Sequence, residues 1–413
     1  MRAPSTLTAF GLADKAQPGE ALVWSTPTGR GVRRVAVGVD VGRSAELGRL
    51  VAQAAPAILV LTHDDLDHID GWRGFAPLGL AILQELWIPY EWAALLDSYD
   101  ALSRGRSRVD PEIDIHGMAE RLRSDFAPAR RFPAESTPWS RAPEDDGASE
   151  DIDEGQLARA IWRISRDMNE FAKRQDPLVP PEFAEGEPEK IAGRVKASVD
   201  NLGTILSDAT SHGVTIRLFS GDHVPGADAY YPWMESAGHY LVSIANAIEV
   251  EPIQFSTPSI ADVAFRALAT IQNQRALCPV LWHHGWLEGG AIVWSDSTGA
   301  WVDRTPGIGH LLNLVSISTA PHHGSDKRHH EPAWEALAPF LRRTDTVMVC
   351  AGGQWNQGVA APYVDHPASR RACTRCRHVS AAQQRAVPGR SRTVSVVTDG
   401  RNTRLVVGDQ CPS

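Results

Sequence analysis

The run Ala57-Ile-Leu-Val-Leu61 is apolar throughout and stops at Thr62-His-Asp-Asp-Leu-Asp-His68. A short continuous apolar run bounded by polar residues reads as a strand buried on both faces. The cluster after it places His63, Asp65, Asp67 and His68 within six positions, in the pattern H-x-D-x-D-H. A strand that ends this way delivers imidazoles and carboxylates to one point. These are the nitrogen and oxygen ligands that zinc, manganese and magnesium take. Asp67 and His68 are adjacent, so on a regular strand their side chains would point to opposite faces. On a tight loop entering a helix both reach one place, and two neighbouring metals are then allowed, one for each half of the motif. The competing reading, a polar loop that only caps the next helix, leaves so many ligands unexplained. The chain therefore reads as a metal-dependent hydrolase.

The rest of the chain bounds the setting. Its 413 residues, 43% of them hydrophobic, suffice for one large domain or two ordinary ones. No run of eighteen apolar residues is present, and Met1-Arg-Ala-Pro-Ser-Thr6 lacks the apolar stretch of a secretory signal. A cytoplasmic protein without a membrane partner is the expectation. The five cysteines, Cys278, Cys350, Cys373, Cys376 and Cys411, do not form a disulfide framework. Cys373-Thr-Arg-Cys376 has no second pair at comparable spacing, so reduced thiols are expected rather than a structural zinc. The net charge of -9 argues against a generally basic nucleic-acid surface. Arginines crowd Ser369 to Arg404, either as a solvated loop or as a local phosphate-contacting patch.

Valine-rich strands are expected at Glu20–Trp24 and Arg34–Asp40, then a helix over Ser44–Ala54 and the strand Ile58–Leu61. Strands return at Val214–Leu218, Ala276–Trp282, Gly290–Trp294, Leu314–Ser318, Thr346–Cys350 and Thr393–Val397, with a helix over Ser259–Gln272. Residues 92–211 differ in character. They hold an acidic, small-residue segment at about 142–155, expected to be flexible because it has little to bury. Two amphipathic stripes follow, Leu157, Ile161, Ile164, Met168 and Phe171, then Ile191, Val195, Val199, Leu202 and Leu206. The expected organisation is an α+β hydrolase domain, 1–91 and 212–413, built as a layered αββα sandwich and interrupted by a helical hairpin. The hairpin's apolar stripes read as core or as a seam for a homodimer or protein partner.

Further ligands must come from elsewhere. Asp296 follows the apolar strand Ala291-Ile-Val-Trp294, where a carboxylate can bridge two metals or merely form an Asx-turn. Ala320-Pro-His-His-Gly-Ser325 follows another strand and offers a metal ligand, His322, and a histidine for the substrate, His323. Ser325 and His366 are candidate substrate contacts.

These pieces resemble the metallo-β-lactamase superfamily, and most closely the soluble hydrolase domain of ComEC-type competence proteins. Gly19-Glu-Ala-Leu-Val23 is similar to that group's GDAILV strand, and Val39-Asp40-Val-Gly42 to its IDGG, with Asp40 in the structural aspartate position. His63 to His68 matches its H-x-D-x-D-H, and Pro321-His-His-Gly-Ser325 its PHHGS. Asn273, Ala276 and Leu277 loosely resemble NNxSLVL, and His366-Pro367 resembles GHP. The likeness covers roughly 1–90 and 213–410 and leaves the helical insert out. Two departures stand. Val293-Trp-Ser-Asp296 lacks the glycine of the family's LLTGD, which Ser220-Gly-Asp222 has at a less suitable place. The family's separate mid-chain histidine has no counterpart except the poorly placed His283-His284.

The resemblance implies two divalent metals, zinc first with manganese or magnesium as alternatives, among His63, Asp65, Asp67, His68, Asp296 and His322. Asp67 would orient or deprotonate the attacking water, and His323 would serve the leaving group. It tilts the substrate toward a phosphodiester in a nucleic acid or nucleotide. A lactone or lactam hydrolase, and a scaffold with a degenerate site acting through the insert, are the alternatives.

Overall fold

A computed structural model describes residues 3–12, 19–28, 33–103, 188–220, 233–234, 240–251, 276–283, 289–299, 301–302, 305, 308–326, 330–352, 359–374 and 393–407. These residues form a mixed α/β structure with two sheets. In chain order the strands are β1 Ser5–Ala9, β2 Leu22–Thr28, β3 Arg33–Val39, β4 Ile58–Val60, β5 Glu85–Pro89, β6 Thr215–Ser220, β7 Trp233–Met234 and β8 Tyr240–Ile244. They continue as β9 Ile248–Val250, β10 Pro279–Leu281, β11 Gly290–Ile292, β12 Val315–Thr319, β13 Val347–Cys350, β14 Arg371–Cys373, β15 Val394–Thr398 and β16 Thr403–Val407. The first sheet runs β16-β15-β1-β2-β3-β4-β5-β6-β9, and the second β14-β13-β12-β11-β10-β8-β7.

The strands alternate their side chains between two environments, as the pleat requires. In β4, Ile58 and Val60 face the second sheet, while Leu59 faces helices. Leu22, Trp24, Val37, Val39 and Trp87 of the first sheet interlock with Val242, Leu281, Ala291, Ile317 and Val349 of the second. Trp24 Nε1 donates to the carbonyl of Trp282 at 3.0 Å and ties the sheets together. Each such aliphatic side chain stabilises the fold by about 1.5–3 kcal/mol when fully buried.

Helices cover both outer faces. Over the first sheet lie α1 Ala45–Gln53, α3 Trp72–Gly79, α4 Tyr90–Ser103 and α5 Pro188–Ser211, with the one-turn α2 Leu66–Ile69 at the strand ends. Leu47, Val51, Phe75, Ala93, Leu202, Ile205 and Leu206 pack there on Leu59, Leu86 and Ile88. Over the second sheet lie α6 Ile308–Leu314 and α7 Glu331–Leu341, with α8 Ala361–Asp365 beside them. Leu311, Trp334, Leu337 and Phe340 pack there on Val280, Ile292, Val315 and Met348. Helix α1 starts where its cap dictates: the Ser44 hydroxyl accepts from the Leu47 amide at 3.3 Å.

The ends of the 92–211 segment belong to this outer layer. Trp92, Ala93 and Ala94 from α4 and Val199, Leu202, Ile205, Leu206 and Ala209 from α5 are buried, most of them in the first-sheet core. The stripe at Leu157 to Phe171, the acidic run at 142–155, the helix at 259–272, Asp222, Asn273, His284 and Cys376 lie outside the described residues. Among the described residues no helix is long and apolar enough to cross a membrane.

Topology then places the site. β3, β4 and β5 are mutually parallel, as are β11, β12 and β13. Asp40, Thr62 to His68, Asp296, His322, His323 and Ala351 all follow the C-terminal ends of these strands. That is the end at which open α/β sheets present their loops to ligands.

Candidate metal centre

His63 follows β4 directly, and the loop then turns into α2. His68 is fully buried, while the side chains of Asp65 and Asp67 are 29% and 22% exposed. Asp67 and His68 thus reach the site together because a helical turn, not a strand, carries them. Asp296 comes in after β11, and the Pro321–Gly324 turn brings His322 and His323 after β12.

Asp296 is the hub. Its Oδ2 lies 3.7 Å from His63 Nε2 and 3.2 Å from His322 Nε2. Its Oδ1 lies 3.7 Å from His68 Nε2 and 3.3 Å from His323 Nε2. His63 Nε2 is also 3.6 Å from Asp65 Oδ2, and His323 Nε2 is 3.3 Å from Asp67 Oδ2. Two groups meet here, His63, Asp65 and Asp296 in one, and Glu20, His68, Asp296 and His323 in the other.

The residues fit a metal by their spacing and by their unused atoms. Ligands about 2.1 Å from a tetrahedral cation stand roughly 3.4 Å from one another. The nitrogen–oxygen distances here run from 3.2 to 3.7 Å. His63 Nε2, His68 Nε2 and His323 Nε2 are buried and make no hydrogen bond, which is costly for a polar atom unless an ion takes the lone pair.

A supporting network fixes which nitrogen is bare. Asp40 Oδ1 accepts from the Thr62 amide, and Asp40 Oδ2 accepts from Thr62 Oγ1 and pairs with His68 Nδ1, each at 2.7 Å. Thr62 Oγ1 has spent its hydrogen on Asp40, so it accepts from His63 Nδ1 at 3.0 Å and from Ser295 Oγ at 2.7 Å. His323 Nδ1 donates to the Ala351 carbonyl at 2.8 Å. In all three imidazoles Nδ1 therefore keeps its proton whether the ring is neutral or cationic, and Nε2, turned inward, is the nitrogen a metal would take.

The charges are strongly coupled. Burial would raise Asp296 and Asp67, but His322, His323 and His68 outweigh it at Asp296, and His323 and His68 at Asp67, and hold both carboxyls well below the usual range. Burial would lower His68 and His323, yet Asp40 holds His68 well above its ordinary value, and Asp296 and Asp67 push His323 up to about 9. These imidazoles are the cations that balance the carboxylates when no metal does. A divalent ion would displace those protons.

Two residues at the site were not singled out by their sequence. Glu20 is buried and joins the group around His323, and burial pushes its carboxyl up to about 7. Its position after Gly19, at the entry to β2, was the available signal. Thr62 carries no metal-ligand signature, and only its place before His63 hinted at its role.

The two histidines of the turn lie on different oxygens of Asp296. His323, expected at the substrate, points Nε2 into the cluster, while His322 faces Asp296 from the His63 side. Ser325 is fully buried and closes the turn with its amide on the His322 carbonyl at 2.9 Å. His366 is not at the site. It caps the C-terminus of α8, and its ring lies against the backbone of Thr346 and Leu341, at the far end of β13 from Ala351. His283 is not a mid-chain ligand either: its Nδ1 meets Ser5 Oγ at 2.7 Å, beside Thr26 at the other end of the sheets. Cys373 is buried in β14, and Arg371 is buried with its guanidinium on the Tyr363 carbonyl. No protein-family model matches this chain, and no curated protein matches it.

Proposed function

We propose that the chain is a metal-dependent hydrolase of the metallo-β-lactamase type that cleaves phosphodiester bonds. The observation that carries this reading is the two-sided use of Asp296, with His63 and His322 on one oxygen and His68 and His323 on the other. The order helices, sheet, sheet, helices, with the cluster at the strand ends, supports the αββα sandwich. The preference for a phosphodiester rests on the likeness of H-x-D-x-D-H and PHHGS to ComEC-type hydrolase domains.

His63, Asp65, His322 and Asp296 would hold one ion, and Asp67, His68, His323 and Asp296 a second, with Glu20 beside it. Four imidazoles among these ligands favour zinc over magnesium. When bound, such ions supply Lewis acidity and lower the pKa of water toward neutrality. Asp67 stays ionised throughout the neutral range, so it acts by accepting a hydrogen from the attacking water and orienting it. Asp40, Thr62 and Ala351 hold the imidazoles in place beforehand, so the chain need not reorganise during the reaction.

The test is metal content of the purified protein, then hydrolysis of bis(p-nitrophenyl) phosphate, DNA, RNA and cyclic nucleotides with and without metal. Nitrocefin and a lactone serve as the carbonyl substrates. Asp67→Ala should fold and lose at least about a hundredfold in kcat. Full activity in that variant, or turnover of the carbonyl substrates alone, refutes the proposal.

A further inference from the structure

Beside the cluster runs a cleft of about 310 Å³, lined by Arg43, Asp64, Asp65, Leu66, Asp67, Ala197, Ser198 and Asn201. Its size is at the low end of small-ligand sites. One wall is the ligand loop itself, because Asp65 and Asp67 turn their accessible edges into it. The opposite wall is α5, the C-terminal helix of the segment that the family likeness leaves out. Ala197, Ser198 and Asn201 share one face of that helix by their spacing.

The α5 wall is fixed in place. Asp64 sits inside the H-x-D-x-D-H motif but turns away from the cluster. Its buried carboxylate accepts from Ser198 Oγ at 2.6 Å. A second tie is farther along, where Trp72 Nε1 donates to Asp208 Oδ2 at 2.9 Å. Leu202, Ile205 and Leu206 pack the buried face of α5 on the sheet. The helix is thus pinned across the ligand loop at one point and onto α3 at another.

The lining has a definite chemistry. Three carboxylates, Asp64, Asp65 and Asp67, line the cleft and would repel an anion; Asp64 is taken up by Ser198, and cations bound at Asp65 and Asp67 would reverse the repulsion there. Arg43 is the cationic side chain of the lining, Asn201 offers both an amide donor and an acceptor, and Leu66, 48% exposed, gives an apolar surface. A phosphate needs the first, a base edge the second, and a sugar or base face the third.

We propose that this cleft is a nucleotide subsite adjoining the scissile bond, in which Arg43 takes the neighbouring phosphate and Asn201 the base edge. It rests on the phosphodiesterase reading and narrows it: the substrate is a nucleotide chain with a second phosphate, not a cyclic mononucleotide. The segment at 188–211 thereby sets specificity rather than supplying only bulk.

The experiment uses the full, zinc-loaded chain. Binding of a phosphorothioate-linked dinucleotide with a 5′-phosphate is measured by calorimetry for wild type, Arg43→Ala, Arg43→Lys and Asn201→Ala, with zinc content measured on the same samples. Arg43→Ala should weaken binding about tenfold or more, the scale of a charged hydrogen bond, with zinc content unchanged. Arg43→Lys should recover part of it, and Asn201→Ala should lose about fivefold. In turnover, Arg43→Ala should damage cleavage of a short single-stranded DNA more than cleavage of bis(p-nitrophenyl) phosphate, which has no second phosphate. Equal affinities in zinc-replete proteins, or equal damage to both substrates, overturn the subsite. Failure of wild type to cleave bis(p-nitrophenyl) phosphate overturns the parent reading instead, and the dinucleotide titration still decides the cleft.

Discussion

Asp40→Asn exchanges one oxygen for nitrogen and sets a donor against two donors at the base of the site. Asp40 Oδ1 accepts from a backbone amide, which cannot change its role, so the amide oxygen of the variant must take that position. The NH2 group then replaces Oδ2 and faces Thr62 Oγ1 and His68 Nδ1 at 2.7 Å. His68 must then give up its Nδ1 proton and keep a single one on Nε2, the nitrogen that faces Asp296. Metal binding would have to restore the other tautomer against a mismatched partner. Removing such a support weakens metal affinity by about 10- to 100-fold, or roughly 1.4–2.7 kcal/mol. The metal-free protein loses charge-assisted bonds worth about 1.5–3 kcal/mol as well. Asp40 raises His68 well above its ordinary value near 6.5. That stabilisation is fully present below pH 6.5 and disappears as pH rises through the folded pKa, so the metal-free variant should be hurt more at pH 6 than in alkali. Zinc affinity by chelator competition, urea unfolding at several pH values and imidazole nitrogen NMR of the metal-free protein read these effects. Wild-type zinc affinity with His68 still protonated on Nδ1 would refute the reasoning.

Two further substitutions probe the same corner. Gly19 has φ +73°, and a Cβ there would stand 1.9 Å from the Asp67 carbonyl oxygen. Gly19→Ala should therefore break the hydrogen bond that the Glu20 amide donates to that carbonyl, cost more than about 2 kcal/mol and lower metal content, and a variant with wild-type Tm and metal content counts against the packing described. Glu20 has its carboxyl raised from 4.5 to about 7 by burial, so the fold loses stability as pH rises through that window. Glu20→Gln should stabilise the metal-free protein above pH 7 by at most about 3 kcal/mol, yet shrink the Tm gain on adding zinc. No gain in the metal-free protein at pH 8 would show that burial does not penalise the Glu20 carboxylate there.

Much of the strand framework was legible, because both sheets bury apolar runs bounded by turn residues. Arg33–Val39, Ile58–Val60, Val315–Thr319 and Val347–Cys350 follow the expected segments closely. Glu85–Pro89 was not singled out, since five residues ending in proline carry no period, and parallel neighbours on both sides make it a strand. That His63, Asp65, His68 and Asp296 could hold a metal was legible from their chemistry alone. The partition of His322 and His323 was not. It depends on which imidazole a left-handed turn aims at Asp296, and residue identity contains no such direction. His366 misled because a short motif says nothing about which end of a strand its loop occupies.

Backbone strain gives the same site an independent mark. Among the described residues, five that are not glycine have positive φ: Asp40, Ala55, Ser295, His322 and His323. All but Ala55 belong to the cluster or touch it. Each such conformation costs on the order of 1–2 kcal/mol and persists only where the surroundings over-determine it. Those surroundings are identifiable here. The His322 amide donates to the Ser295 carbonyl at 2.7 Å, the Cys350 thiol donates to the His323 carbonyl at 2.9 Å, and Asp40 is held by three donors. The fold thus tolerates its strained positions where carboxylates and imidazoles are drawn to a common point. A bound cation would take over that attraction from the imidazole protons, so metal affinity and local stability at this end of the sheets are linked.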